Sequence, residues 1–363
     1  MLAPASLQPR RWAQALVALA TVALAGGCGQ DDQEAQRSTT PSQAARADLA
    51  LTRRLTADQP GCSAAVGVDG QVVWTGARGV ASLETTAPLT ADTVFDIGSV
   101  SKQFTATAVL LLADSGALTL KDRLSDHVDG LPAWAGQVSV AQLMHHTSGI
   151  PDYLQLLEAQ GHSLHERTTQ EQAVRAVVGT RTLRFQPGSR FEYSNSNYLL
   201  LAQIVQHASG TALPRYLREH VFTPLGLDMA MDPVTRIPAK AVSYSGGKVA
   251  DSRWEQVGDG GVQTTPSELV RWADNYRTGK VGGPALLAAQ LADPVPSDLG
   301  PGMDYAAGII RADDGTILHA GAWAGFRSAF EIRPDRRTAF AVSCNSANHD
   351  PLAITADLRG IWS

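Results

Sequence analysis

Cysteine, concentrated positive charge and long apolar runs are all scarce in this sequence, and each scarcity narrows what it can be. Three cysteines in 363 residues, at positions 28, 62 and 344, leave room for one disulfide at most. Lysine and arginine number 30 against 35 aspartates and glutamates, a formal charge of -5, with no basic patch or arginine-rich run. Nucleic acid is therefore not an expected partner. The apolar stretch 12–25 is about fourteen residues long, too short to span a bilayer comfortably. No Gly-x-Ser-x-Gly elbow is present, which disfavours an α/β-hydrolase. His162-Ser163-Leu164-His165-Glu166 sets two histidines three apart but fits no zincin pattern. It reads as a surface helix or loop, and neither a metal nor a cofactor is expected. No internal repeat is evident.

The first residues have the organisation of a targeting segment. Arg10 and Arg11 precede the apolar stretch, and Leu24-Ala25-Gly26-Gly27-Cys28 ends it. The arrangement resembles a bacterial lipoprotein signal, with Ala25 where leucine is commoner. Residues 1–27 are then the signal and Cys28 the lipid-bearing first residue; ordinary secretion is the alternative. Losing the two arginines takes the charge from -5 to -7. Residues 28–46 are polar without a hydrophobic period and read as a disordered tether. Residues 47–363 are long enough to bury a core as one unit or two tightly joined subdomains. The expected location is the periplasm, with the membrane held through the lipid.

Helical pattern over 49–56 gives way to strands over 62–68 and 71–74, joined at Asp69-Gly70, a strong hairpin signal. Strand candidates recur near the other end, over 305–311, 316–320, 325–332 and 338–344, before a closing helix over 351–362. Between them lie helical patterns over 99–113, 138–143, 170–178, 197–208, 213–220 and 266–276. Strands at both ends imply an α/β (α+β) fold: an antiparallel sheet assembled from distant segments, flanking helices and an inserted all-helical subdomain, with a cleft where they meet. Cys62 and Cys344 fall in strands that can be neighbours. A bridge between them and two free thiols are the alternatives in an oxidising compartment.

Ser99-Val100-Ser101-Lys102 carries the chemistry. Positions i and i+3 share a helix face, so the serine hydroxyl and lysine amine can come within hydrogen-bond reach. A serine becomes a nucleophile when a base takes its proton, and a lysine at the edge of a dry core can be that base. The residues 104–112 that follow are almost all apolar or small. On the four residues alone, an N-capping serine beside a solvated lysine is the alternative.

Tyr193-Ser194-Asn195 offers a phenol that can shuttle protons and an amide that can hold a substrate carbonyl; a plain helix cap is its alternative. His319-Ala320-Gly321-Ala322 ends a strand, where a glycine permits close approach to the backbone; an ordinary turn with a surface histidine is the alternative. His146-Thr147-Ser148, in a turn before Pro151, is assigned a structural role.

Together these motifs resemble the serine β-lactamase and penicillin-binding protein superfamily, whose signatures are Ser-x-x-Lys, Tyr-x-Asn and Lys-Thr-Gly or His-x-Gly, in this order. The tyrosine form points towards class C β-lactamases, D-Ala-D-Ala carboxypeptidases and related esterases. Segments 95–105, 146–151, 222–227 and 258–269 also look like this family, so the likeness covers nearly all of 47–363. It implies that Ser99 is acylated while Lys102 and Tyr193 share the acid and base work. It further implies that Asn195 positions the substrate and that His319 helps hold a substrate carboxylate or relays a proton. The N–H groups of Ser99 and Ala322, beside Gly321, would form the oxyanion hole.

His-Ala-Gly replaces the Lys-Thr-Gly of true class C enzymes. A histidine is only partly charged at neutral pH, and Ala320 lacks a hydroxyl, so efficient penicillin turnover is disfavoured. Arg327 could add positive charge or simply be solvated. The leading expectation is an envelope serine hydrolase acting on small esters, amides or D-amino-acid peptides. The alternatives are a β-lactamase and a catalytically idle binding module.

Overall fold

The computed structural model describes residues 41–363 apart from Arg236; the expected signal, Cys28 and the tether up to residue 40 lie outside that range. Helix Gln43–Arg54 begins at Ser42, whose hydroxyl accepts from the Ala45 N–H at 3.2 Å. Residues 43–46, expected in the tether, are therefore helical. The cap satisfies a free N–H, and Ala47 and Leu51 bury themselves with Ile354 and Leu358 of helix Pro351–Ile361.

Eight strands form one sheet in the order Gln71–Arg78, Cys62–Val68, Thr338–Cys344, Phe326–Ile332, Ile317–Trp323, Ile310–Ala312, Met303–Tyr305 and Val295–Pro296. Each neighbouring pair is antiparallel. The two ends of the described chain thus meet inside the sheet, as strands drawn from both termini predict. The register sets Cys62 opposite Cys344, and a disulfide joins them across a Cα separation of 4.0 Å.

Side chains alternate between faces along a strand. Cys62, Ala64, Val66, Phe340, Val342 and Cys344 pack under the terminal helices. Ala65, Ala341, Ile317 and Phe330 face the helical middle of the chain. Those helices share one hydrophobic cluster with the sheet, so the inserted helices are a layer of residues 41–363 rather than a body apart.

Two expected elements are divided. The strand over 305–311 is two, Met303–Tyr305 and Ile310–Ala312, because the chain turns at Gly308 to lie against the Lys102 carbonyl. The helix over 99–113 opens as a 3-10 turn, Gly98–Ser101, and continues as α-helix Lys102–Asp114. Every side chain from Lys102 to Leu110 is buried, as the apolar run predicts. Phe104 anchors this helix, with ring centroids 5.3 Å from Phe222 and 4.8 Å from Trp272.

Candidate active site

The segment entering Ser99 is held from below. Buried Asp96 accepts from the Gly98 N–H and from Gln263 Nε2, each at 2.8 Å. This fixes the turn, so Ser99, partly exposed, borders a cavity while Lys102 lies fully buried behind it. Lys102 Nζ stands 3.0 Å from Ser99 Oγ, 2.8 Å from Asn195 Oδ1 and 2.7 Å from the Asp259 carbonyl oxygen. An ammonium has three N–H bonds to give, and all three have acceptors here.

Asn195 opens helix Asn195–Ser209 and is oriented by a residue that the motifs do not contain. Asp152 Oδ2 accepts from both the backbone N–H of Asn195, at 2.9 Å, and its Nδ2, at 2.8 Å. The amide oxygen is thereby turned towards Lys102. The other carboxylate oxygen caps helix Tyr153–Ala159 through the Leu154 N–H at 2.8 Å.

Tyr193 lies beside the pair, its ring centroid 5.0 Å from Lys102 Nζ. It stacks on His146 at 4.2 Å. His146 Nδ1 takes bonds from the Ser194 N–H and Asn197 Nδ2. Burial, reinforced by the charge of Lys102, holds this imidazole well below its ordinary pKa and therefore neutral. His146 positions Tyr193, in keeping with a structural role.

Gly98 and Gly321 let strand Ile317–Trp323 close against the nucleophile turn, and Ala322 borders the same cavity as Ser99. The structure corrects the carboxylate-holding role expected of His319. Its side chain is buried, with Nδ1 2.7 Å from the Ala320 carbonyl oxygen and Nε2 3.3 Å from Tyr305 Oη. Desolvation, then the charge of Lys102, lowers its pKa to about 3. A neutral ring with both nitrogens engaged offers a carboxylate no charge. Arg327 stands opposite Ala322 and Cys344 in the sheet register. Strand alternation puts it on the disulfide's face, away from the Lys102 helix, where it bonds the Phe326 carbonyl.

The cavity in front of Ser99 has a volume of about 60 Å³ and opens to solvent. Its lining also includes Tyr153, Trp254, Gln256, Asp259 and Trp323. Asp259 Oδ2 accepts from Tyr153 Oη at 3.1 Å, and burial raises this carboxyl to a pKa of about 6. Among the described residues the cavity lining has no Lys, Arg or His, and no group of three His, Cys, Asp or Glu could hold a metal ion.

Comparison with known proteins gives the family. The Beta-lactamase family model matches residues 44–360. The chain belongs to this family. A D-aminopeptidase from Gluconobacter oxydans is 30% identical over 283 residues, 74% of this chain and 52% of the relative. Penicillin-binding protein 4* of Bacillus subtilis is 27% identical over 282 residues, 71% of this chain and 62% of the relative. The chain thus spans between about half and two thirds of the length of these relatives. The crystal structure of a penicillin binding protein from Bacillus halodurans superposes with a TM-score of 0.76, covering 89% of this chain and 100% of that one at 20% identity. It shares the fold of this beta-lactamase family member.

Ser99, Lys102, Tyr193, Asn195, Gly321 and Ala322 therefore gather at one place, with His319 in the layer behind them. Asp152 and Asp259 were not anticipated. Asp152, directly after Pro151 and before Tyr153-Leu154, carried a capping signal; Asp259 carried only its place in the family-like stretch 258–269.

Proposed function

We propose that the protein is a serine hydrolase of the cell envelope that cleaves small esters, amides or D-amino-acid peptides through an acyl-enzyme on Ser99. The observation that carries this reading is the 3.0 Å contact between Ser99 Oγ and the buried Lys102 Nζ at the cavity mouth. The hydroxyl proton passes to the acid–base pair of Lys102 and Tyr193 as Oγ attacks the substrate carbonyl carbon. The N–H groups of Ser99 and Ala322 receive the developing oxyanion, an arrangement worth about 3 kcal/mol per donor. Collapse of the tetrahedral adduct expels the alcohol or amine, which leaves with a proton supplied through Lys102 and Tyr193. Water then attacks the ester on Ser99 and releases the acid. Asn195 orients the substrate while bonded to Lys102.

Resemblance to a D-aminopeptidase supports D-amino-acid substrates. Neutral His319 and a cavity lining without a cation favour them over β-lactams, whose carboxylate would find no partner there. A fluorophosphonate should label Ser99, and Ser99→Ala should abolish labelling; labelling that survives the substitution overturns the mechanism. Nitrocefin should be turned over slowly or not at all, and rapid hydrolysis would make the protein a β-lactamase instead.

Export, with lipid attached at Cys28 and anchorage in the membrane facing the periplasm, belongs to the same proposal. The Cys62–Cys344 disulfide supports an oxidising compartment. Radiolabelled palmitate should enter the protein in cells and be lost in Cys28→Ala; equal labelling of that variant would reject lipidation.

A further inference from the structure

Two side-chain oxygens of residues that line the cavity have no hydrogen-bond donor among the described residues. Asp259 Oδ1 is one; its partner oxygen takes the Tyr153 hydroxyl. Gln256 Oε1 is the other; its Nε2 is committed to the carbonyls of Thr168 and Thr169, at 2.8 Å each. Asp259 and Gln256 are 7% and 6% exposed, and both border the cavity that Ser99 borders. Buried acceptors are normally paired, so two orphans in one lining mark a place where a donor belongs. Three aromatic rings flank them: Tyr153 and Trp254 lie 6.5 Å apart between centroids, and Trp254 and Trp323 5.9 Å. Aromatic faces attract cations.

We propose that Asp259 and Gln256 form an ammonium-recognition subsite, which selects substrates carrying a primary amine next to the scissile carbonyl. The closeness to that carbonyl follows from Lys102. Its Nζ touches Ser99 Oγ at 3.0 Å and the Asp259 backbone oxygen at 2.7 Å, so the carboxylate belongs to the residue that abuts the nucleophile pair. An ammonium has three donors and can engage Asp259 Oδ1 and Gln256 Oε1 together once these side chains turn towards it. A substrate read instead by its carboxylate would meet no cationic side chain in this lining among the described residues.

This inference rests on Ser99 being the nucleophile, and the test separates the two. Compare D-alanine p-nitroanilide with propionyl p-nitroanilide, which has the same shape without the amine. Wild-type kcat/KM should favour the amine at least 100-fold. Asp259→Asn should shrink that ratio at least tenfold, mainly through KM, and Gln256→Leu should shrink it too. Binding of D-alaninamide and propionamide to the wild type, read by competition with fluorophosphonate labelling, should show the same preference and needs no variant to fold. Equal use of the two anilides and equal competition by the two amides would mean that water alone serves these oxygens, and the proposal falls. A loss of the same factor on both anilides in Asp259→Asn would make Asp259 merely structural and also overturns it. If Ser99 is never labelled, the hydrolase reading fails first; if Ser99 labels and the amine brings no preference, only the subsite fails.

Discussion

Gly321 and Ile97 approach so closely that a β-carbon on Gly321 would stand 2.0 Å from the Ile97 carbonyl oxygen. Both partners in this contact are backbone, one in the strand that carries Ala322 and the other at the entry to Ser99. Neither can swing aside as a long side chain would. On the other side of the contact, a β-carbon on Gly98 would lie 2.8 Å from the Ala322 nitrogen. Gly321→Ala must therefore push the strand away from the nucleophile turn and pull apart the two N–H groups proposed for the oxyanion. We expect fluorophosphonate labelling of Ser99 to slow by at least about 100-fold, the scale of one lost oxyanion donor. A labelling rate within threefold of wild type would show that this contact does not set the geometry.

Asp152 acts on the site through Asn195, which it orients, and through Tyr153, whose helix it caps. Removing its carboxylate leaves the amide of Asn195 free to rotate and one acceptor of Lys102 unfixed. A hydrogen bond to a charged group contributes about 1.5–3 kcal/mol, so Asp152→Ala should lower kcat/KM by roughly 10- to 100-fold. Asp152→Asn keeps an acceptor oxygen and should recover part of the loss. Equal activity of the two variants would argue against positioning through Asn195.

The parts of the molecule that local pattern controls were legible in the chain. Strands Cys62–Val68 and Thr338–Cys344 and helix Gln170–Val178 fall where period and turns set them. Asp69 and Gly70 both have positive φ, as their hairpin requires. Ser99, Lys102 and Asn195 were legible because the spacing of the first two is helical and the third sits in a short motif. What failed to show depends on contacts between distant residues. The break at Gly308 comes from its approach to Lys102, more than 200 positions away. Asp259 offers its carbonyl to Lys102 across 157 positions. The face on which Arg327 lies is set by register with Cys344, and the state of His319 by its burial near Lys102. A spacing rule carries no information about burial of that kind.

The disulfide ties residues 282 positions apart. In the chain-entropy account, closing a loop of that length restricts the unfolded chain by about 5.6 kcal/mol. The Cys62→Ala, Cys344→Ala double variant should keep the strand pairing, which rests on backbone hydrogen bonds, yet unfold at markedly lower urea. An unchanged urea midpoint would mean that the bridge contributes nothing to stability.

His319 makes stability depend on acid. Its pKa is about 3 when folded against an ordinary 6.5, because burial and the neighbouring Lys102 charge oppose protonation. Above pH 6.5 the ring is neutral in both folded and unfolded chains and its full contribution is present. As pH falls from 6.5 towards 3, the unfolded chain binds a proton that the folded chain refuses, and stability drains away. At pH 5 this one group should account for about 2 kcal/mol of lost stability. His319→Gln cannot titrate there and keeps an amide able to reach Tyr305. Urea unfolding at pH 7.5 and pH 5 should therefore show a smaller loss in the variant than in the wild type, by about 2 kcal/mol. Identical losses in the two proteins would mean that His319 charges in the folded state, and the carboxylate-holding role would return to it.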